Sequence, residues 1–242
     1  MKHLFTFIIL FLLFSCSKKW ADNIAEKGHS QEMINNYEEA LKIYNKGIKR
    51  NKRSALLFWR RGKIYHRKGN YDLAIKDYSK SIEIDSLFNT GYAFWDRANS
   101  KENLKDIEGA LEDYDKAISI NPKKSNFLSY RGILKYRLED YEGSLRDLDS
   151  AVKYGGNNYY LARSYRSTLR FILEDYKGAL QDYNYLDFSK KDELNPEMAW
   201  EFRFRGISKF KTKDTIGACN DWKIAEKHND SVSRLWLKKY CE

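Results

Sequence analysis

Two stretches of the chain are near-copies of one another. Residues 130–141 read Tyr-Arg-Gly-Ile-Leu-Lys-Tyr-Arg-Leu-Glu-Asp-Tyr, and residues 165–176 read Tyr-Arg-Ser-Thr-Leu-Arg-Phe-Ile-Leu-Glu-Asp-Tyr. The two stretches are offset by 35 residues, and most differences between them preserve size or charge. A near-copy at this spacing is typical of helical repeat proteins, in which each unit packs against its neighbours. The sequence therefore predicts an all-α solenoid.

Outward from this stretch, small residues mark six repeats. A small residue recurs in the first helix of each repeat, at Gly28, Gly62, Ala98, Gly132, Ser167 and Gly206. Twelve residues later a second small residue follows, at Ala40, Ala74, Ala110, Ser144, Ala179 and Ala218, and four residues beyond it a large one, at Tyr44, Tyr78, Tyr114, Leu148, Tyr183 and Trp222. Small residues let two helices approach closely, and large ones fill the groove between them. The pattern predicts six helix–turn–helix units.

The pattern resembles the tetratricopeptide repeat family, whose unit is a helix–turn–helix of about 34 residues. The predicted repeats span 21–54, 55–88, 91–124, 125–158, 160–193 and 199–232, and residues 231–242 are predicted to form a capping helix. The resemblance implies a right-handed α-solenoid whose first helices line a concave groove. The chain departs from the family in two ways. The usual first-helix tyrosine occurs only as Tyr65, and repeats three to six carry Lys101, Lys135, Arg170 and Lys209 at that position. A five-residue insertion, 194–198, also precedes repeat six.

The N-terminus carries features of an export signal. An apolar run from Leu4 to Phe14 follows Lys2 and His3. It is too short to span a bilayer as a helix but fits the apolar region of a signal peptide. Its end, Leu13-Phe14-Ser15-Cys16, resembles the lipobox of bacterial lipoproteins. We therefore expect a signal peptide over 1–15, a lipidated Cys16 and a tether over 16–20. The alternative is an ordinary signal peptide with an incidental cysteine.

Repeats two to six share an arginine and an aspartate 16 residues apart, which repeat one lacks. The pairs are Arg61/Asp77, Arg97/Asp113, Arg131/Asp147, Arg166/Asp182 and Arg205/Asp221. In an antiparallel hairpin the two positions lie at the same level, so they are expected to form a ladder of ion pairs that sets the register of the stack. Asp77 could equally face Arg97 of the next repeat. A row of arginines that binds a ligand is the alternative.

The cysteines other than Cys16 lie near the C-terminus. Cys219 and Cys241 flank the turn near Asn229-Asp230, ten residues before it and eleven after. Antiparallel helices would bring them side by side, and the segment 218–222 resembles the C-terminal repeat of bacterial envelope proteins of this family. In an oxidising compartment the two are expected to form a disulfide that ties down the cap. Two free buried thiols are the alternative.

Nothing in the sequence supports catalysis. The four histidines are scattered, with no metal-ligand spacing to cysteine or carboxylate, and no phosphate-binding glycine loop occurs. The sequence predicts no enzyme activity, metal or cofactor.

Charge is sorted between the two helices of each unit. The chain has a formal net charge of +10, and in repeats two to six the first helices carry +16 and the second helices −13. The resemblance therefore implies a basic groove, with aromatic side chains at the groove positions. The predicted groove residues are Trp59, Arg60, Lys63, Arg67, Trp95, Asn99, Tyr130, Tyr136, Arg137, Phe171, Arg203 and Lys211. The lysine and asparagine that form the family's carboxylate clamp are not both present, because Trp59/Lys63 and Trp95/Asn99 occupy those positions.

The leading hypothesis is a non-enzymatic scaffold at the bacterial cell envelope, anchored to the membrane, facing the periplasm, and binding an acidic or carboxylate-bearing protein segment. One alternative is a structural subunit of an outer-membrane assembly or secretion complex that uses the convex face. Another is a nucleic-acid-binding helical repeat, which the high positive charge would allow. The export signal argues against that alternative, and no nucleic-acid partner is predicted.

Overall fold

The computed structural model describes residues 19–155, 159–185 and 199–242. Within these residues the chain forms helices and no strands, which confirms the predicted all-α repeat solenoid. The helices are α1 (19–33), α2 (Tyr37–Arg50), α3 (Ala55–Arg67), α4 (Tyr71–Ile84), α5 (Tyr92–Asn103), α6 (Ile107–Ile120), α7 (Ser125–Arg137), α8 (Tyr141–Gly155), α9 (Tyr160–Ile172), α10 (Tyr176–Tyr183), α11 (Ala199–Lys211), α12 (Thr215–Lys227) and α13 (Ser231–Tyr240). A short 3₁₀ turn, Phe88–Gly91, precedes α5.

The helices divide into two compact units. The N-terminal unit ends at Pro122 and contains the hairpins α1/α2, α3/α4 and α5/α6. The C-terminal unit begins at Lys123 and contains α7/α8, α9/α10 and α11/α12, followed by α13 at the place predicted for the cap. The predicted signal peptide, Cys16, the ends of repeats four and five and the insertion 194–198 lie outside the described residues.

Asparagine or aspartate residues precede the second helices, and all of them except Asn70 cap the helix with a side-chain hydrogen bond. Asp106, Asp175 and Asp214 each accept a hydrogen bond from the backbone N–H three residues later. This bond satisfies one of the donors that a helix N-terminus leaves free. A residue with positive φ precedes each cap, as at Lys105 (φ 65°) and Lys213 (φ 71°). A left-handed residue ends the first helix and turns the chain into the second one.

The predicted pattern of small and large residues forms the core of each hairpin. The small second-helix residues Ala40, Ala74, Ala110, Ser144, Ala179 and Ala218 have no exposed surface. The large residues four positions later are buried as well, and Tyr44 and Trp222 face Gly28 and Gly206 of the first helix. A side chain at either glycine would collide with the ring, so the two helices approach more closely than other residues would allow.

Candidate functional site

The five arginine–aspartate pairs all form within their own repeat, and we call them the ion-pair ladder. Each pair is bidentate: the arginine Nε donates at 2.7–2.8 Å to one carboxylate oxygen, and Nη2 donates to the other. Asp77 therefore faces Arg61 and not Arg97. The aspartates are at most 5% exposed, so each carboxylate is held by charge-assisted bonds in a nearly dry environment.

Four of the five aspartates bind a second cation, which the sequence analysis did not assign. Lys101 and Lys135 lie 3.0 and 2.9 Å from Asp113 and Asp147, while Arg170 and Lys209 lie 3.1 and 2.9 Å from Asp182 and Asp221. These are the positions at which the chain departs from the tetratricopeptide pattern. Tyr65 occupies the same position in repeat two, where Asp77 has only Arg61 among the ion pairs of the described residues. The sequence shows this departure from the family pattern, but it does not show that the cations bind the ladder aspartates.

The ladder arginines also reach the preceding repeat. Arg61 Nη1 donates at 2.6 Å to Asn45, and Arg97 Nη1 donates at 2.9 Å to Ser79. In the C-terminal unit Arg166 Nη1 donates at 2.7 Å to Asp149. These guanidinium groups are bound on several sides by the protein itself. The geometry favours a structural role for the ladder. A large part of the positive charge of the first helices is paired with acidic side chains inside the fold.

Trp59 and Lys63 form the centre of a basic face on α3, in the N-terminal unit. The Lys63 Nζ atom lies 4.7 Å from the centroid of the Trp59 ring, and the Arg60 guanidinium carbon lies 5.3 Å from it. Arg67 is exposed one turn beyond Lys63, with its guanidinium carbon 6.0 Å from the Tyr37 ring. We call Trp59, Lys63 and Arg67 the basic face. The indole is only 8% exposed, so it supports the cations more than it offers a free surface.

Asp96 is an acidic residue next to this face that the sequence analysis did not single out. It occupies in α5 the position that Arg60 occupies in α3, directly after a tryptophan. Trp59 Nε1 donates a 2.7 Å hydrogen bond to its carboxylate. Burial raises the pKa of Asp96 to about 6, although the bond from Trp59 and the charges of Lys63 and Arg67 act to lower it. Alignment of Trp59-Arg60 with Trp95-Asp96 shows an acidic residue at a position that is basic in the other repeat, and this could have pointed to Asp96 from the sequence.

Arg60 is held by α1 and is less available than predicted. Its Nη1 atom lies 3.1 Å from His29 Nδ1 and 3.8 Å from a carboxylate oxygen of Glu32. Glu32 is 3% exposed and also accepts a hydrogen bond from Tyr44. Arg60 thus compensates a buried carboxylate, and its side chain serves the fold of repeat one.

Asn99 and Trp95 lie on α5, the first helix of the repeat that follows the one carrying the basic face. The Asn99 amide donates to the Trp95 carbonyl at 2.9 Å, and its oxygen accepts from Tyr114 at 2.8 Å. Both ends of the Asn99 amide are thus engaged within the repeat, and its role as a groove residue stays a prediction. The half-buried Trp95 ring packs edge-on against Tyr92 at a centroid distance of 5.8 Å.

The predicted groove residues of the C-terminal unit are mostly engaged within that unit. Arg203 donates at 2.7 Å to Asp230, so its charge is paired within the unit, and its role as a cation for a partner stays a prediction. The centroid of the Phe171 ring lies 4.6 Å from that of Phe204 and 5.8 Å from that of Tyr176. The ring centroids of Tyr136 and Tyr165 are 5.9 Å apart. These rings belong to the packing between repeats. Tyr130 is half-buried, Arg137 is exposed, and Lys211 lies 5.8 Å from the Tyr176 ring.

Cys219 and Cys241 are joined by a disulfide that ties the end of the chain to α12. It borders an aromatic cluster in which the ring centroids of Trp222 and Trp236 are 5.2 Å apart and those of Phe210 and Tyr240 are 4.6 Å apart. The apolar face of α13 thus covers the last repeat, as a terminal cap must.

The part of the chain that the structure describes contains no group of three histidine, cysteine, aspartate or glutamate side chains able to hold a metal ion. Among these residues, no helix combines the length and apolar character needed to cross a membrane.

Models of the tetratricopeptide repeat match residues 60–86 and 92–124, which correspond to the second and third hairpins. These two hairpins therefore match the tetratricopeptide repeat. The Hsp70-Hsp90 organizing protein of Triticum aestivum is 32% identical over 110 residues, which cover 46% of this chain and 19% of that protein. The match covers between 11% and 20% of the length of such curated relatives.

Two solved structures share the fold over most of their length. PilF of Pseudomonas aeruginosa superposes with a TM-score of 0.76 at 15% identity, covering 92% of this chain and 98% of that one. YrrB, described as a TPR protein with an unusual peptide-binding site, superposes with a TM-score of 0.65 at 20% identity, covering 81% of this chain and 97% of that one. At these identities the likeness concerns the fold alone.

Proposed function

We propose that the protein is a non-enzymatic scaffold that binds an acidic protein segment at the basic face of the N-terminal unit. The observation that carries this proposal is the distribution of cations. The ladder aspartates bind the paired arginines and lysines of the first helices, whereas Lys63 and Arg67 form no ion pair with an acidic side chain among the described residues. The proposed site is thus smaller than the groove that the sequence suggested.

The neighbouring aromatic rings suit such a partner. An extended segment could place carboxylates on Lys63 and Arg67 while its apolar side chains contact the half-buried Trp95. Aromatic anchors supply most of the affinity in protein interfaces, and exposed charges mainly set association rate and specificity. Related repeats occur in a protein that organises Hsp70 and Hsp90, and YrrB is a TPR protein with a peptide-binding site, which supports a protein or peptide partner.

The proposal includes anchoring of the chain to the bacterial envelope through Cys16. The sequence supports it, since an apolar run ends in Leu-Phe-Ser-Cys three residues before the first residue that the structure describes. Acyl chains on Cys16 would give stable attachment, because each buried methylene contributes about 0.8 kcal/mol. Metabolic labelling with radioactive palmitate tests this part: the wild-type protein should incorporate label and the Cys16→Ser variant should not.

Binding of a fluorescent poly-glutamate peptide tests the site. The double variant Lys63→Glu/Arg67→Glu should bind the peptide much more weakly than the wild type, and added salt should weaken wild-type binding. The matched control is Lys76→Glu/Lys116→Glu, which makes the same charge change at exposed positions on the second helices of the same unit. Equal losses in both double variants would show that the peptide responds to overall charge, and the basic face would then not be the site.

A further inference from the structure

The positive charge of the chain is concentrated in one stretch. Residues 40–71 contain eleven lysines and arginines and no aspartate or glutamate, whereas the whole chain has a net charge of +10. Part of this stretch is α3, whose cations are described above. The other part is the last turn of α2 and the loop after it, where five cations lie within eight residues: Lys46, Lys49, Arg50, Lys52 and Arg53. We call these five residues the basic end.

The side chains of the basic end are exposed and uncompensated. All five residues are exposed, and none of them forms an ion pair with a residue that the structure describes. This contrasts with the ladder arginines, which are held by buried aspartates. Lys49 and Arg50 interact favourably with the C-terminus of α2, but five like charges without acidic partners also repel one another.

The basic end lies beside the start of the described chain. The Arg50 guanidinium carbon is 5.5 Å from the centroid of the Trp20 ring, so the end of α2 is next to the first turn of α1. Gly47 and Ile24 are in close contact one turn further in, as expected for antiparallel helices. Exposed Lys19 adds a sixth cation at this place, and Cys16 precedes it by only three residues.

We propose that the basic end is a membrane-contact surface that binds the headgroups of anionic phospholipids. The charge sign, the absence of acidic partners and the nearness of Cys16 all point to a lipid surface rather than to a soluble partner. Basic side chains near an anionic membrane each contribute binding energy, and a half-buried tryptophan such as Trp20 suits the boundary between headgroups and acyl chains. The patch would add an electrostatic contribution to attachment through the acyl chains.

The surface also sets the orientation of the protein. With the basic end against the headgroups, α1 and α2 would stand away from the membrane, and the basic face on α3 would stay open to an acidic segment. This orientation rests on the anchoring proposed above, whereas the affinity of the basic end for anionic lipid does not require an acyl chain.

Vesicle flotation of unacylated protein tests the affinity directly. The protein is the chain from residue 16 onward with Cys16→Ser, which keeps every described residue and carries no lipid. We expect it to float with mixed vesicles of phosphatidylcholine and phosphatidylglycerol at low salt, to remain unbound with phosphatidylcholine alone, and to be released by salt. Equal binding to both kinds of vesicle, or binding to neither, would overturn the proposal.

Two triple variants separate the basic end from the total charge. Lys49→Gln/Lys52→Gln/Arg53→Gln should weaken binding to the anionic vesicles about 100-fold, since three contributing charges are removed. The matched control Lys177→Gln/Lys223→Gln/Lys227→Gln removes three exposed charges from the C-terminal unit and should leave binding unchanged. Equal losses would refute a localised surface. The poly-glutamate assay on the same variants distinguishes this result from failure of the peptide site, because the basic face is intact in both.

Discussion

The indole Nε1 of Trp59 donates a 2.7 Å hydrogen bond to the carboxylate of Asp96, one repeat further along the chain. The bond joins α3 to α5 and places a carboxylate within the electrostatic reach of Lys63 and Arg67. Burial raises the pKa of Asp96 to about 6, so this carboxylate is mostly ionised at neutral pH and mostly neutral in mild acid. The proposed site therefore contains a negative charge of its own that a partner must tolerate.

Replacement of Asp96 should make peptide binding tighter and less dependent on pH. In Asp96→Asn the amide oxygen can still accept from Trp59, while the charge is lost. At about pH 7.5 we expect about 5-fold tighter binding of the poly-glutamate peptide, because roughly 1 kcal/mol of repulsion is removed. As the pH falls below the pKa of about 6, wild-type Asp96 takes up a proton and its affinity should approach that of the variant. Fluorescence anisotropy measures the affinities of the wild type and the variant at about pH 7.5 and again below the pKa of Asp96. A difference in affinity that does not narrow in acid would contradict the assignment.

Loss of a ladder aspartate should destabilise the fold in proportion to the cations it leaves behind. Asp113→Asn leaves both Arg97 and Lys101 without a carboxylate, and about 3–5 kcal/mol should be lost from the free energy of unfolding. Asp77→Asn leaves only Arg61, so its loss should be smaller.

Urea unfolding followed by circular dichroism compares the two variants. Exposed Asp72, on the same helix as Asp77, provides the control, since Asp72→Asn should change stability by less than about 1 kcal/mol. If Asp113→Asn behaved like this control, the ladder would have no structural role.

Reduction of the Cys219–Cys241 disulfide should loosen the C-terminal cap. The bond closes a loop with a sequence separation of 22, and its loss should cost about 3 kcal/mol. Near-ultraviolet circular dichroism detects the change, because Trp222 and Trp236 pack together beside the bond. Cys219→Ser/Cys241→Ser should reproduce the effect of reductant and then be insensitive to it. An unfolding midpoint that reductant leaves unchanged would show that the cap does not depend on the bond.

Two glycines at equivalent positions should respond differently to alanine. A methyl group at Gly206 would collide with the Trp222 ring, and Gly206→Ala should cost about 1–3 kcal/mol of stability. At Gly132 the new Cβ would lie 3.1 Å from both Cγ of Leu148 and Cβ of Asp147, which is a tight contact but not a collision with a ring. Alanine also favours the helix by about 1 kcal/mol there, so Gly132→Ala should cost less than Gly206→Ala. Thermal unfolding of the two variants decides, and equal losses would mean that the ring does not set the helix spacing.

The repeats could be predicted from the sequence because their determinants are local. Buried Ala74 and Tyr78 lie one turn apart on the same helix face, and this pattern recurs in every hairpin. The ion pairs were partly predictable: the constant separation of 16 residues placed Arg61 and Asp77 at one level. Level alone could not decide between Arg61 and Arg97, since that choice depends on the direction in which each side chain leaves its helix.

The candidate site was harder to predict because it depends on charges that cancel in three dimensions. The net charge of the first helices included Lys101 and Lys135, whose targets are buried aspartates on the partner helix of their own hairpins. Arg203 and Asp230 are 27 residues apart and meet only when the cap packs on the last repeat. No local pattern carries that information, so the sequence overstated the extent of the basic surface.

Ladder arginines bind both their own hairpin and the hairpin before it, and this limits the order in which the repeats can be arranged. Arg166 holds Asp182 of its own hairpin and Asp149 of the hairpin before it. A repeat transplanted to another position would bring its own aspartate but would meet whatever stands at the acceptor position of its new neighbour: Asn45, Ser79 and Asp149 differ in charge and length. Each joint is therefore fitted to one order of repeats, and a shuffled array would keep its hairpins while losing the bonds between them.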